Sequence, residues 1–171
     1  MLQNINGLLA THEHDDHLDF SIKEIANVSD DIKIVVPAPK VSLLVGEGIK
    51  DQNIISAWGR ETFFIKGFKI TPVPAAYTDY QVDEHGKHLY LRYFIEVNRI
   101  RLFHSGDTVI TQDLIEKVKK FKPHVAFLPI NGGDYFRTAR GGIGNMSFRE
   151  AADFAVAVGV DLIIPLHSAS F

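Results

Sequence analysis

The sequence of 171 residues contains no cysteine. This absence excludes disulfide bonds, thiolate metal sites and a cysteine nucleophile. Any metal site must therefore be built from histidine, aspartate or glutamate. A chain without disulfides is also typical of the cytoplasm, because disulfides form mainly in oxidising compartments. We therefore expect a cytoplasmic protein.

Long apolar runs and a strong charge of either sign are missing as well. No apolar stretch approaches the roughly 20 residues that span a bilayer. The net charge at pH 7 is −3, so the chain as a whole has no basic footprint for the phosphates of a nucleic acid. We expect neither a membrane nor a nucleic acid as a partner.

Apolar and charged residues are present in ordinary globular proportions, at 46% and 23%. The length suits one domain over residues 1–171. The turn sequences Lys66-Gly67 and Asn98-Arg99 predict hairpins in the middle of the chain. Later, helical patterns alternate with apolar strands at 125–130 and 162–166 that we predict to be buried. This mixture predicts an α/β domain built on sheets.

A cluster of histidines and acids follows a short apolar strand predicted at residues 7–11. In an extended segment His12, His14 and Asp16 lie on one side, and a turn at Asp15-Asp16 brings His17 towards a second centre. Imidazole and carboxylate groups suit Zn, Mn or Fe. The pattern indicates a site for one or two divalent ions, and the alternative interpretation is a solvated polar loop.

The segment THEHDDHLD resembles the H-x-H-x-D-H motif of the metallo-β-lactamase superfamily. Two later segments match the superfamily order, namely LFHSGDT after one strand and IIPLH at the end of another. The resemblance implies an αββα sandwich in which the first two histidines bind one metal, the Asp-His pair binds the other, and a later aspartate bridges them. It implies six ligands: His12, His14, Asp16, His17, Asp107 and His167.

Four further segments are similar to the L-ascorbate-6-phosphate lactonase group of that superfamily: HSGDT, LPING, RTARGGIGN and REAADFA. This likeness implies a metal-dependent hydrolase that opens the lactone of a small phosphorylated sugar acid. Manganese is associated with the lactonase, and zinc is the alternative ion. In the expected reaction Asp16 or Asp107 accepts a proton or holds the attacking water.

The chain departs from the superfamily pattern in two ways. Tyr77, in PAAYTD, occupies a position where many relatives carry a third histidine for the first metal, and we predict that it is a packed aromatic. The resemblance also implies a β-rich segment before residue 1 and further chain after His167. We therefore expect an incomplete sandwich that associates with copies of itself as a homo-oligomer.

Four residues outside the ligand set are candidates for substrate binding: His104, Asn131, Arg137 and Arg140. Arginine suits bidentate phosphate recognition, which makes the two arginines of the glycine-rich loop candidate phosphate anchors. The alternative is a solvated loop. His104 is either a ligand, a partner that orients a ligand, or a structural residue at a strand end. His85 and His88 lie in a polar loop and are predicted to be exposed.

Two other functions fit the same cluster. A pair of metal ions also supports displacement at phosphorus, so a phosphodiesterase or nuclease is an alternative. A metal-binding oligomer without catalytic activity is another. Metal content and activity on lactone, phosphodiester and RNA substrates separate these functions.

Overall fold

Two β-sheets lie face to face between helices. A computed structural model describes residues 5–15, 17–18, 21–28, 31–132 and 144–167. The first sheet is parallel and contains, in spatial order, β1 (Gly7–Leu9), β2 (Lys33–Pro37) and β3 (Ile54–Ala57).

The second sheet has six strands, whose spatial order follows the chain. They are β4 (Phe63–Ile65), β5 (Phe68–Pro74), β6 (Leu91–Val97), β7 (Ile100–His104), β8 (Val125–Pro129) and β9 (Leu162–Leu166). Strands β4 to β7 pair antiparallel, whereas β7, β8 and β9 pair parallel. This division confirms the prediction of hairpins in the middle of the chain and alternating helices and strands after it.

Within the described residues, four α-helices cover the outer faces of the sheets: α1 (Ser21–Val28), α2 (Val41–Gly46), α3 (Gln112–Phe121) and α4 (Phe148–Val158). Helix α3 begins at Gln112, because the side chain of Thr111 accepts a hydrogen bond from the Leu114 N–H and caps the helix. Ser147 and Glu150 form a capping box at the start of α4. No helix in the described ranges is both long and apolar enough to cross a bilayer.

Three apolar clusters define the layers. One joins α1 and α2 to the first sheet, for example through Ile22, Leu44 and Ile34. A second lies between the sheets, and a third joins the second sheet to α3 and α4 through residues such as Leu114 and Phe154. The resulting order is helices, sheet, sheet, helices, which confirms the predicted αββα arrangement.

The hairpin turns place non-glycine residues in the left-handed region. Asn98 and Arg99 have φ of 49° and 68°, and Lys66 and Gly67 have φ of 47° and 88°. Two consecutive residues with positive φ match the right-handed twist of the strands that they join. The Asn98-Arg99 turn sets the register in which β6 and β7 pair, and β7 ends next to the site described below.

The prediction that the last strand is buried is wrong. Leu162 and Ile164 of β9 are 54% and 36% exposed. The cluster between the sheets draws its second-sheet residues from β4, β5 and β6. Strand β9 lies three strands further along and forms the sheet edge. Within the described ranges, the three-stranded first sheet is therefore too narrow to cover it.

The strand register makes this uncovered surface continuous. Leu102 lies opposite Val125, and Val125 lies opposite Leu162. Leu102 also lines an apolar groove of about 640 Å³ that runs beside β1 and contains Leu9 and Ile95. An apolar strip therefore extends from the edge of the first sheet to the edge of the second.

We expect copies of the chain to associate through this strip. Apolar area left in water costs roughly 25 cal/mol per Å², so a few hundred Å² costs several kcal/mol. Sedimentation velocity is expected to show a mass that rises with protein concentration. The double substitution Leu162→Lys, Ile164→Lys should shift the equilibrium to the monomer, whereas Leu43→Lys, at a 46% exposed position on α2, should not. A strictly monomeric species at every concentration would contradict this expectation.

Candidate metal centre

The histidine cluster sits on a segment held firmly at the end of β1. The Ala10 N–H donates to the Val35 carbonyl at 2.9 Å, and the Tyr93 hydroxyl donates to the Ala10 carbonyl at 2.6 Å. The Leu91 N–H donates to the Thr11 carbonyl at 2.9 Å. The backbone just before the first histidine is thus bonded to both sheets, so it forms a rigid support for functional side chains.

A turn then brings His17 back to His12. The His14 carbonyl accepts hydrogen bonds from the His17 and Leu18 N–H groups at 2.8 and 2.9 Å. The rings of His12 and His17 consequently lie 4.1 Å apart between centroids. This confirms the turn predicted after His14. Asp16 lies outside the described residues, so its role as a ligand stays a prediction.

The end of β7 supplies the carboxylate. The chain turns at Gly106, which has φ of 59°. A Cβ atom there would meet the Leu91 carbonyl oxygen and the Thr11 Cβ at 3.0 Å. Glycine is therefore required both by its conformation and by the close approach of the two loops. This approach sets Asp107 against the segment that carries His12.

Asp107 lies at the centre of the cluster. Its Oδ1 is 3.2 Å from His17 Nε2 and 2.9 Å from His167 Nε2. Its Oδ2 is 3.8 Å from His12 Nε2, which is in turn 3.0 Å from His14 Nδ1. These distances place histidine nitrogens on two sides of one carboxylate.

Two groups of three residues have ligand atoms within 4.8 Å of one another. His12, His14 and Asp107 form the first, and His17, Asp107 and His167 form the second. We call these the first and second half-sites. Imidazole nitrogens with a shared carboxylate form a donor set that suits Zn, Mn or Fe, so the residues fit one or two divalent ions.

The electrostatic setting keeps Asp107 ionised. The residue is 6% exposed. Burial by itself raises the pKa of the Asp107 carboxyl, but hydrogen bonds from His167 and His17 outweigh that effect and hold the pKa well below its usual range. An ionised carboxylate is the form that binds a metal ion.

Thr11 orients two of the histidines, a role that the sequence analysis did not assign. Its Oγ1 lies 2.9 Å from His12 Nδ1 and 3.4 Å from His17 Nδ1. When the Nδ1 atoms bond to this hydroxyl, the Nε2 atoms of both rings face Asp107. The only sequence signal was its position directly before the motif.

Two tyrosines form a wall beside the first half-site. Tyr77 and Tyr90 are stacked, with centroids 5.5 Å apart and planes 9° apart. Tyr77 lies 5.6 Å from the His14 ring, and Tyr90 lies 5.1 Å from the His12 ring. A Cβ on Gly144 would come within 2.8 Å of the Tyr77 ring, so Tyr77 is tightly packed, as predicted. Tyr90 was not identified from the sequence.

His104, one of the candidates for substrate binding, lies beside the cluster. His104 stacks on Phe127, and its Nδ1 accepts the Gly106 N–H at 3.2 Å. Burial lowers the pKa of His104 to about 4, and the nearby His17 acts in the same direction. The neutral ring therefore supports the turn that carries Asp107, and His104 is in neither half-site.

Asn131 accepts a hydrogen bond from Asn145, whose side-chain oxygen in turn accepts the Thr108 N–H at 2.9 Å. This chain braces the loop just after Asp107. Arg137 and Arg140 lie outside the described residues, so their predicted contact with substrate stays a prediction.

The two later loop histidines differ from each other. The His85 side chain is 70% exposed, as predicted. The prediction of exposure is wrong for His88, which is half-buried beside Tyr80, with ring centroids 5.9 Å apart. Burial lowers the pKa of His88, because an apolar setting disfavours the charged ring.

Comparison with known proteins identifies the relatives of this chain. Residues 1–168 match the family described as "Beta-lactamase superfamily domain". A "UPF0173 metal-dependent hydrolase" of Caldivirga maquilingensis is 28% identical over 170 residues, covering 99% of this chain and 67% of the relative. A "Probable L-ascorbate-6-phosphate lactonase UlaG" of Salmonella paratyphi B is 23% identical over 180 residues, covering 97% of this chain and 49% of the relative.

A solved structure shares the fold. The metallo hydrolase Igni18 of Ignicoccus hospitalis superposes with a TM-score of 0.72 at 20% identity, covering 97% of this chain and 65% of that protein. At this identity the likeness concerns the fold alone. The chain thus spans between about half and two thirds of the length of these three proteins.

Proposed function

This chain belongs to the metallo-β-lactamase superfamily, and from that premise we propose that it is a metal-dependent hydrolase that opens the lactone ring of a phosphorylated sugar acid. The observation that carries the proposal is the pair of half-sites that share Asp107. The Salmonella relative named as a lactonase supports the substrate class. A cytoplasmic location is part of the same proposal.

The proposed ligands divide between the two half-sites. His12 and His14 would hold one ion, His17 and His167 the other, and Asp107 both. Asp16 would join His17 as a further ligand. When bound, a divalent ion supplies Lewis acidity towards an ester carbonyl and makes water more acidic near neutral pH. The donor set suits Mn²⁺ and Zn²⁺ alike, since both accept imidazole and carboxylate ligands.

The two aspartates have different roles in this proposal. Both oxygens of Asp107 face histidine nitrogens, so this carboxylate holds the cluster together and positions the reacting groups. The proton of the attacking water is then left to Asp16. Thr11 keeps the imidazoles of His12 and His17 directed at the reaction centre.

The substrate would enter beside the tyrosine wall. Tyr77 and Tyr90 present an apolar surface next to His14 and His12, which limits water on that side. Arg137 and Arg140 are proposed to bind the phosphate, with His104 and Asn131 bracing the neighbouring loops. Binding the phosphate away from the carbonyl orients the lactone without engaging the reacting atoms.

The test is a direct assay of the metal-loaded protein on three substrates. The protein is loaded with Mn²⁺ or Zn²⁺ and assayed separately on L-ascorbate-6-phosphate, a small phosphodiester and RNA. We expect acid release from the lactone, no cleavage of the other two, and loss of the lactone activity in Asp107→Asn. Phosphodiester cleavage without lactone opening would replace the proposal with a phosphodiesterase. Stoichiometric metal binding without activity on any substrate would leave a metal-binding protein.

A further inference from the structure

Arg92, on β6, is a buried charge that the proposed reaction does not use. The residue is 1% exposed. Its Nε, Nη1 and Nη2 atoms are buried, and none of them has a hydrogen-bond partner within the described ranges of the chain. It is also the only arginine in those ranges that is buried.

Burying a charged guanidinium such as that of Arg92 costs free energy unless an anion lies beside it. Burial lowers the pKa of Arg92, yet a guanidinium remains protonated in proteins. A buried charge without a partner loses its hydration, and no hydrogen bond or ion pair compensates for that loss. Unpartnered buried polar atoms in a native fold therefore point to a water or an ion that completes them.

The acidic residue near Arg92 is already engaged. Asp113, in the first turn of α3, lies close enough to interact electrostatically with Arg92. Its Oδ2 atom, however, accepts the Tyr80 hydroxyl at 2.6 Å and lies 2.9 Å from Lys117 Nζ. Two cations thus share one carboxylate, and the N-terminal end of α3 adds a partial positive charge. Arg92, Lys117 and Asp113 together carry a net positive charge, which one further anion would neutralise.

We propose that Arg92 is an anion-binding residue that takes the phosphate or carboxylate group of a small-molecule ligand. The guanidinium offers a planar fork of N–H donors that such an oxyanion accepts in pairs. Tyr80 and Asp113 of α3 are near enough to Arg92 to interact with it electrostatically. The proposal stands on the burial of Arg92 and its unpaired nitrogen atoms, and does not depend on the proposed hydrolysis.

The position is close to the candidate metal centre. Arg92 follows Tyr90 by two residues, and the Tyr90 ring lies 5.1 Å from the His12 ring. Two residues along an extended strand span about 7 Å. Arg92 therefore lies on the strand that leads away from the tyrosine wall.

The experiment measures binding of inorganic phosphate and of acetate to metal-loaded wild type, Arg92→Met and Arg149→Met. Arg149 is an exposed arginine of α4 and serves as the matched control. Charged hydrogen bonds of this kind correspond to about ten- to hundred-fold in affinity. We expect Arg92→Met to weaken the binding of phosphate or acetate by that factor and Arg149→Met to leave it unchanged. The stronger of the two probes identifies the anion class.

Thermal melts of wild type and Arg92→Met test whether the substitution affects folding. Because Arg92→Met removes an unpaired charge, it should melt no lower than wild type in buffer without phosphate, and its metal content should be unchanged. Addition of the preferred anion should raise the melting temperature of wild type but not of Arg92→Met. Equal anion binding by both proteins would overturn the proposal. A strongly destabilised Arg92→Met would overturn it too, because that result would indicate a partner for Arg92 within the chain.

Discussion

Replacing Asp107 with asparagine is expected to remove most of the bound metal from both half-sites. Asp107 is the one residue that the two groups of ligand atoms share, and its oxygens lie 2.9 to 3.8 Å from three histidine nitrogens. Asparagine keeps the shape of the side chain but supplies no negative charge. Loss of a partner that merely orients a ligand costs about 10- to 100-fold in affinity, so loss of this shared ligand should cost at least about 100-fold. Metal-to-protein ratios after dialysis measure the effect.

The matched control is Asp83→Asn. The Asp83 carboxylate accepts hydrogen bonds from the His85 and Lys87 N–H groups in a turn outside both half-sites. This variant should retain the metal content of wild type. Retention of metal by Asp107→Asn at the wild-type level would mean that the two half-sites do not share a ligand.

Replacing His17 with alanine should empty the second half-site and spare most of the first. His17 Nε2 and His167 Nε2 both face Asp107 Oδ1, whereas His12 and His14 lie on the other side of that carboxylate. We expect the metal content to fall by about one ion per chain if both half-sites bind, with a comparable fall for Asp16→Ala. Removal of a direct ligand weakens a metal site more than any change at a distance.

His85→Ala provides the comparison for the histidine variants. The His85 side chain is 70% exposed and belongs to neither half-site. Its removal should leave the metal content unchanged. Equal losses in His17→Ala and His85→Ala would show that exposed histidines account for the bound metal, and the assignment of half-sites would fail.

The sequence was informative wherever local chemistry determines structure. Hairpins form at Lys66-Gly67 and Asn98-Arg99, because these residues adopt the positive φ that a tight turn requires. Helix α4 starts at the capping box that Ser147 and Glu150 encode in the local sequence. The resemblance of the sequence to the superfamily motif, with His12, Asp107 and His167 in the same order and at strand ends, predicted that these residues lie together, and they do. Their roles as ligands remain predictions.

Other features depend on contacts between distant segments, which a local pattern does not reveal. Thr11 orients two histidines only because a turn folds His17 back over it. Tyr90 lines the first half-site because β6 is bonded to the segment that carries Thr11. The exposure of β9 depends on how many strands cover it, whereas its apolar sequence resembles that of a covered strand.

Buried charge was the least predictable property. Arg92 sits between Leu91 and Tyr93, in a strand whose sequence is otherwise apolar or aromatic at its start. From the sequence alone, alternation suggests a solvent-facing arginine. In the fold, that face of the sheet is covered by α3 and the residues before it, so the guanidinium is enclosed. Whether a strand residue such as Arg92 is buried depends on the element packed on its face of the sheet, and that packing is set by tertiary structure.

The central claim is that His12, His14, His17, Asp107 and His167 hold metal ions, with Asp16 as a sixth ligand. Anomalous diffraction at the absorption edges of manganese and zinc, on crystals of metal-loaded protein, locates each ion directly. The account predicts a peak between His17, Asp107 and His167, and a second peak between His12, His14 and Asp107 that is equal or weaker because Tyr77 supplies no third imidazole. Fully loaded crystals with no anomalous peak beside Asp107 would contradict it.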